Sequence, residues 1–126
     1  MRIKSALLAV GVAAAGLVGF AGSAQAAGAC PADTACLWSG ADFTGTRFVF
    51  PTDGRWPSFV VRSVRNADPG SPAALYYNAN NRGPCFTVRA GGAVSDTRNV
   101  RMTDGGTGDR TRSIRFDQVC GTVYAF

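Results

Sequence analysis

The chain has 126 residues, with 13 Lys or Arg against 8 acidic residues, no His, and a formal net charge of +5. Beyond residue 26 there is no Lys and no Glu either, which leaves 11 Arg, 8 Asp and a net charge of +3 spread along the chain. Such a balance favours solubility, gives no support to a nucleic-acid partner, and removes the bases on which Ser or Cys nucleophiles depend.

Arg2 and Lys4 precede an apolar run from Ala6 to Phe20, and Ala24-Gln25-Ala26 has the small residues of a cleavage site. This is the pattern of a secretory signal peptide over 1–26, cut before Ala27. At about 15 residues the run is short for a membrane span, and no second one follows. Residues 27–126 are enough for one domain with a modest core, expected to be extracellular, monomeric and without a membrane span. Four cysteines in such a chain read as two disulfides. Cys30 and Cys36 bracket a turn and are paired, which leaves Cys85 for Cys120. In the chain-entropy view the longer loop stabilises by about 3.8 kcal/mol and the shorter by about 2.4 kcal/mol. The spacings do not suit zinc, and no His could complete such a site.

After Cys36 come Trp38, Phe43 and Gly45, and then Phe48 and Phe50 alternate with Arg47 and Val49. That reads as a strand, a bent turn closed on a glycine, and a strand with one apolar face. Pro51 to Pro57 is turn-rich, and the valine-rich Ser58–Asn66 segment carries a Ser63-Val64-Arg65 strand. Asp68-Pro69-Gly70-Ser71-Pro72 marks a linker between two halves, roughly 30–67 and 73–126. In the second half Ala74–Tyr77 and Cys85–Arg89 are strand candidates around the polar turn Asn78–Gly83. Gly91-Gly92 breaks the pattern, Asn99–Met102 is a short strand candidate, and Asp104–Asp109 is a loop. Arg112–Phe116 alternates with Ile114 and Phe116 on one side, and Thr122–Tyr124 supplies a last strand. No stretch holds a 3.6-residue apolar period, so the fold class is all-β.

The order of elements repeats. Trp38 precedes Gly45 by seven residues and Ser63 follows; Tyr76 precedes Gly83 by seven and Ser113 follows. A folded hairpin needs a positive φ, which glycine supplies, and it leaves backbone groups that a serine hydroxyl can satisfy. The aromatic residue packs over the bend. Two similar four-stranded units sharing a core are expected.

This pattern of Trp or Tyr, Phe, Gly and a later Ser resembles the Greek-key motif of the βγ-crystallin superfamily. Its first copy is complete in Trp38, Phe43, Gly45 and Ser63, whereas in the second Asn81 takes the place of the inner aromatic residue. The opening, a signal peptide followed by Cys30-Pro31, four residues, Cys36, then Trp38-Ser39-Gly40, resembles the bacterial secreted metalloproteinase-inhibitor family. That resemblance implies a crystallin-like double Greek key, an extracellular protease as partner, and inhibition of thermolysin-like zinc enzymes by rigid loop docking. It places the protease-facing bond at Cys85-Phe86, after Gly83-Pro84, and Phe86 is the apolar residue that such enzymes prefer beyond the scissile bond. Pro84, Cys85 and Phe86 are thus the contact candidates. The family's second small disulfide would end at Ala90, so Cys85 has to reach Cys120 instead.

No catalytic residues and no cofactor are expected, because most aspartates (Asp33, Asp53, Asp68, Asp104, Asp109) stand in turn contexts. Crystallin-type calcium motifs would fall at Ser58–Ser63 and Gly108–Ser113, but Arg62 and Arg112 stand at ligand positions, which a hard dication does not tolerate. No metal is expected there, and Ser63 and Ser113 read as hairpin braces. Arg62, Arg65, Arg110, Arg112 and Arg115 could mark an anionic surface site, and Tyr77 beside the asparagine turn would suit a glycan. The alternative function is a crystallin-like antimicrobial, killer-toxin-like or glycan-binding domain, or a structural domain with vestigial calcium sites.

Overall fold

The computed structural model describes residues 29–124; the expected signal peptide at 1–26 lies outside them. Eight strands are present among these residues: β1 (Ala35–Gly40), β2 (Thr44–Phe50), β3 (Ser63–Asn66), β4 (Ala73–Asn78), β5 (Arg82–Val88), β6 (Ala93–Val94), β7 (Ser113–Phe116) and β8 (Val123–Tyr124). They form two four-stranded sheets, in the orders β2-β1-β3-β6 and β8-β5-β4-β7. Helical structure among the described residues is confined to single 3-10 turns such as Thr97–Asn99 and Gly108–Arg110. None of the described helices is long and apolar enough to cross a membrane. The described residues are therefore all-β with two sheets and two disulfides, Cys30–Cys36 and Cys85–Cys120.

Strand alternation sorts the side chains. In β1, Ala35 and Leu37 enter the main core, while Cys36 and Trp38 point to a second cluster with Val49. In β4, Ala73 and Leu75 enter the same main core, while Ala74 and Tyr76 meet Cys85 and Cys120. The main core is thus built from both sheets, and each sheet carries a disulfide-bearing cluster apart from it. Full burial of a side chain such as Leu37, Leu75 or Phe86 stabilises by roughly 1.5–3 kcal/mol.

The two hairpins have matching registers. Trp38 faces Arg47 across β1–β2 and Tyr76 faces Cys85 across β4–β5, with a bulge after each aromatic residue. Phe48 and Phe86 therefore hold equivalent places, opposite Leu37 and Leu75. Both apolar positions of β2 pack on the main core only in part, whereas Val49, on the other face, is buried. The strand is apolar on two faces, not one.

One expectation needs correction, and one strand was not anticipated. Asn99–Met102 is not a strand: the chain makes a 3-10 turn at Thr97–Asn99, and Arg101 forms only an isolated bridge with Thr107. The glycine pair Gly91-Gly92 is followed at once by β6, which leaves the second half and pairs with β3 of the first (Val64 with Val94). The first half accordingly supplies three strands and the second half five. Between the halves, buried Asn66 donates its amide to the carbonyls of Ser71, Val88 and Arg89 and accepts the Asp68 N–H, so the linker is stitched to both.

Candidate functional site

The residues singled out by the repeat form two congruent bends. At the first, Asp42 and Phe43 take φ 57° and 61° and Gly45 takes 83°; at the second, Asn80 and Asn81 take 62° and 59° and Gly83 takes 85°. A Cβ on Gly45 would strike the Ser39 side chain, and one on Gly83 the Asn78 side chain, so these bends need glycine for space as well as for φ. Ser63 Oγ accepts the Phe43 N–H at 3.0 Å and donates to the Gly40 carbonyl at 2.7 Å. Ser113 Oγ accepts the Asn81 N–H at 3.0 Å and donates to the Asn78 carbonyl at 2.6 Å. Trp38 meets Phe43 edge-on with ring centroids 5.2 Å apart. Both serine hydroxyls are thereby committed to backbone groups.

The contact candidates lie in a different setting. Pro84 is half-buried near the start of β5, whereas Cys85 and Phe86 are buried. The Cys85–Phe86 bond sits in a strand flanked by β4 on one side and β8 on the other. Phe86 is 0% exposed, belongs to the main core and meets Tyr124 edge-on at 6.0 Å. Its ring faces inward, away from any docking partner.

What Cys85 does present is its disulfide partner. Cys120 is held from both sides by Thr87, whose hydroxyl donates to the Cys120 carbonyl and accepts the Cys120 N–H, each at 2.8 Å. The Thr87 N–H donates to the Thr122 carbonyl at 2.9 Å, and the Asp117 N–H donates to the Pro72 carbonyl at 2.8 Å. Gly121, at φ 71°, is pressed on the Cys85 carbonyl, where a Cβ would come within 2.8 Å. Thr103 adds a further brace by donating its N–H to that same carbonyl at 3.0 Å. Loop 117–122 is therefore fixed at its entry, at its disulfide and at its exit.

From this frame Gln118 and Val119 face solvent. Among the described residues three large apolar side chains are exposed: Val60 at 52%, Val119 at 61% and Val123 at 45%. Two of these three flank Cys120. A single exposed apolar residue needs no explanation, but one mounted on a rigid loop is a ready contact, because docking costs it little conformational entropy. Sequence reasoning passed over Val119; the available signal was a lone apolar residue between Asp117-Gln118 and a cysteine.

The site's electrostatics are local. The Arg110 guanidinium bonded to Asp104 holds that carboxyl below the usual carboxylate range, with help from the Gly106 N–H. Arg98 does the same for Asp96 through its side chain and its backbone N–H. Asp104 and Asp109 are not joined in one site: Asp104 accepts from Arg110, and Asp109 accepts from the Thr107 hydroxyl at 2.6 Å. Among the described residues no cluster of three or more acidic, Cys or His side chains could hold a metal ion. Among the described residues the geometry offers a braced surface loop and no convergent acid, base or nucleophile.

Compared with known protein families, residues 23–88, just over half of the chain, match the model described as peptidase inhibitor family I36. No curated protein matches the chain.

Proposed function

The chain belongs to peptidase inhibitor family I36, a family of non-enzymatic inhibitors, and we propose that it is a secreted inhibitor of extracellular, thermolysin-like zinc peptidases that docks through loop 117–122. Family membership makes the partner a peptidase. The observation that carries the mode of docking is Val119, exposed on a loop whose two ends and disulfide are all fastened. Thermolysin-like enzymes favour an apolar residue beyond the scissile bond, and the Gln118–Val119 bond meets that preference where the Cys85–Phe86 bond is turned inward. Cys85 and Pro84 keep a part in this reading, as the anchor of the loop and its half-buried neighbour.

The order of strands supports a second element of the proposal. A strand of the second half completes the sheet of the first, and matched bends are each braced by a serine; we read this as a βγ-crystallin-like double Greek key. The two disulfides suit an oxidising, extracellular setting.

The test is an inhibition panel of thermolysin-like, subtilisin-type and trypsin-type enzymes against the purified protein. Inhibition of the zinc enzyme at micromolar protein or below is expected. Absence of inhibition across the panel, together with fungal growth arrest or retention on insoluble glycan, would replace the reading with an antimicrobial or glycan-binding one.

A further inference from the structure

A second feature shares no residue with the loop. Between residues 56–62, which lead from β2 to β3, and residues 109–112, which lead into β7, a cleft of about 600 Å³ opens. That falls in the roughly 300–1,000 Å³ range of small-ligand sites. Trp56, Phe59 and Tyr77 give it aromatic walls, and Arg62, Arg110 and Arg112 share its lining with the lone carboxylate of Asp109.

The three arginines are not equivalent. Arg110 is engaged: it bonds Asp104 at 2.7 Å, donates Nε–H to the Thr107 carbonyl at 3.1 Å and lies 4.5 Å over the Tyr77 ring. Its role is to hold the wall. Arg62 Nε is buried and forms a long ion pair with Asp109 Oδ2 at 3.9 Å, beyond hydrogen-bond reach, and has no hydrogen-bond partner. Thr111 is 6% exposed, and its hydroxyl is buried without a partner. Arg112 is exposed at the cleft. Buried polar atoms without partners are rare in folded proteins. Of four such side-chain atoms among the described residues, two belong to residues that line this one cleft.

Guanidinium and hydroxyl groups in one cleft are donors for a planar anion, and aromatic walls take an apolar body. Asp109 in the same wall disfavours a doubly charged phosphate and leaves room for one negative charge. We propose that the cleft binds a carboxylate carried on an aromatic or aliphatic body. The acid would take the Arg62, Thr111 and Arg112 donors, and the body would lie against Trp56, Phe59 and Tyr77. Such a group could come from a free aromatic acid or from the C-terminal residue of a peptide.

The experiment is a chemical-shift titration of the isotope-labelled protein with N-acetylphenylalanine and with an N-acetylated Ala-Ala-Ala-Phe peptide. The amides of both compounds and galacturonate serve as comparators. Shifts at the Trp56 indole N–H and the Arg62 and Thr111 amides are expected, with the acids binding roughly tenfold or more tightly than their amides. Tighter binding of the peptide acid than of N-acetylphenylalanine would assign the site to peptide termini, and equal binding would assign it to the free acid. Thr111→Val and Arg112→Gln should each weaken the acid by about threefold or more. The Thr111→Val thermal midpoint should stay level or rise, since an unpartnered buried hydroxyl is removed. The proposal is overturned if the amides or galacturonate bind as well as the acids, if no shift appears at Trp56 at millimolar acid, or if both variants bind like the wild type.

Discussion

The two hairpins share one backbone solution but are put to different uses. β1–β2 and β4–β5 have the same bend, the same bulge after an aromatic residue and the same serine brace. At the first, Phe43 packs on Trp38, and Arg65 lies 5.1 Å over the Phe43 ring. At the second, Asn81 replaces Phe43, its side-chain oxygen is buried without a partner, and Arg115, the counterpart of Arg65, is exposed. The outer strands differ further. β2 is an edge strand and leaves Phe48 half-buried, whereas β5 is covered by β8 and buries Phe86. The disulfides also attach to different strands: Cys36 is on β1, and Cys85 is on β5, at the place that Arg47 holds in the first hairpin. The shared features fix the fold, and the divergent ones concentrate around β5 and the loop it anchors.

The sharpest way to break this comparison is to truncate the equivalent phenylalanines. Phe86→Ala should destabilise by about 3–5 kcal/mol, as for a fully buried core ring. Phe48→Ala, half-exposed on an edge strand, should cost about 1–2 kcal/mol. Urea unfolding separates the two; equal losses would mean that β8 does not seal β5. Next come the serine braces. Ser63→Ala orphans a part-buried N–H and a carbonyl and should cost about 1–2 kcal/mol, while the more exposed Ser113→Ala should cost about 0.5–1 kcal/mol. A larger loss at Ser113 would reverse the ranking of the two bends.

The smallest effect concerns acid. Asp96 and Asp104 both have carboxyl pKa values lowered by arginine hydrogen bonds. A depressed folded pKa gives stability that is present above the unfolded value and is lost as pH falls through the folded one. The urea midpoint should therefore be level from about pH 8 to pH 5, where no His titrates, and fall slightly only below the usual carboxylate range. A decline above pH 5 would point to a titrating group other than these pairs.

Much of this was legible in the chain. The seven-residue spacings of Trp38–Gly45 and Tyr76–Gly83, followed by serines, report a local backbone requirement, so they can be read without knowing any neighbour. The disulfide pairing followed from the short turn that Cys30 and Cys36 bracket, which left Cys85 for Cys120. Three features were not legible because they depend on distant partners. β6 is two residues long and takes its identity from β3, so Gly91-Gly92 reads only as a break. The burial of Phe86 depends on β8, which pairs Val123 with Thr87 from the far end of the chain. The cleft joins arginines that look like a solvated face when taken singly, because residues 56–62 and 109–112 meet only in the fold.

The claim that the second half presents the docking loop is tested most directly by the inhibition constant of Val119→Arg against a thermolysin-like enzyme that the wild type inhibits. Val60→Arg, at a valine of comparable exposure (52% against 61%) in the cleft, is the control. Val119 is exposed, so the thermal midpoint of the variant should be unchanged, while inhibition weakens by about a hundredfold, as for a truncated or blocked interface anchor. The Val60 variant should inhibit like the wild type. If Val119→Arg inhibits as well as the wild type, loop 117–122 is not the contact and the account of the second hairpin's divergence fails.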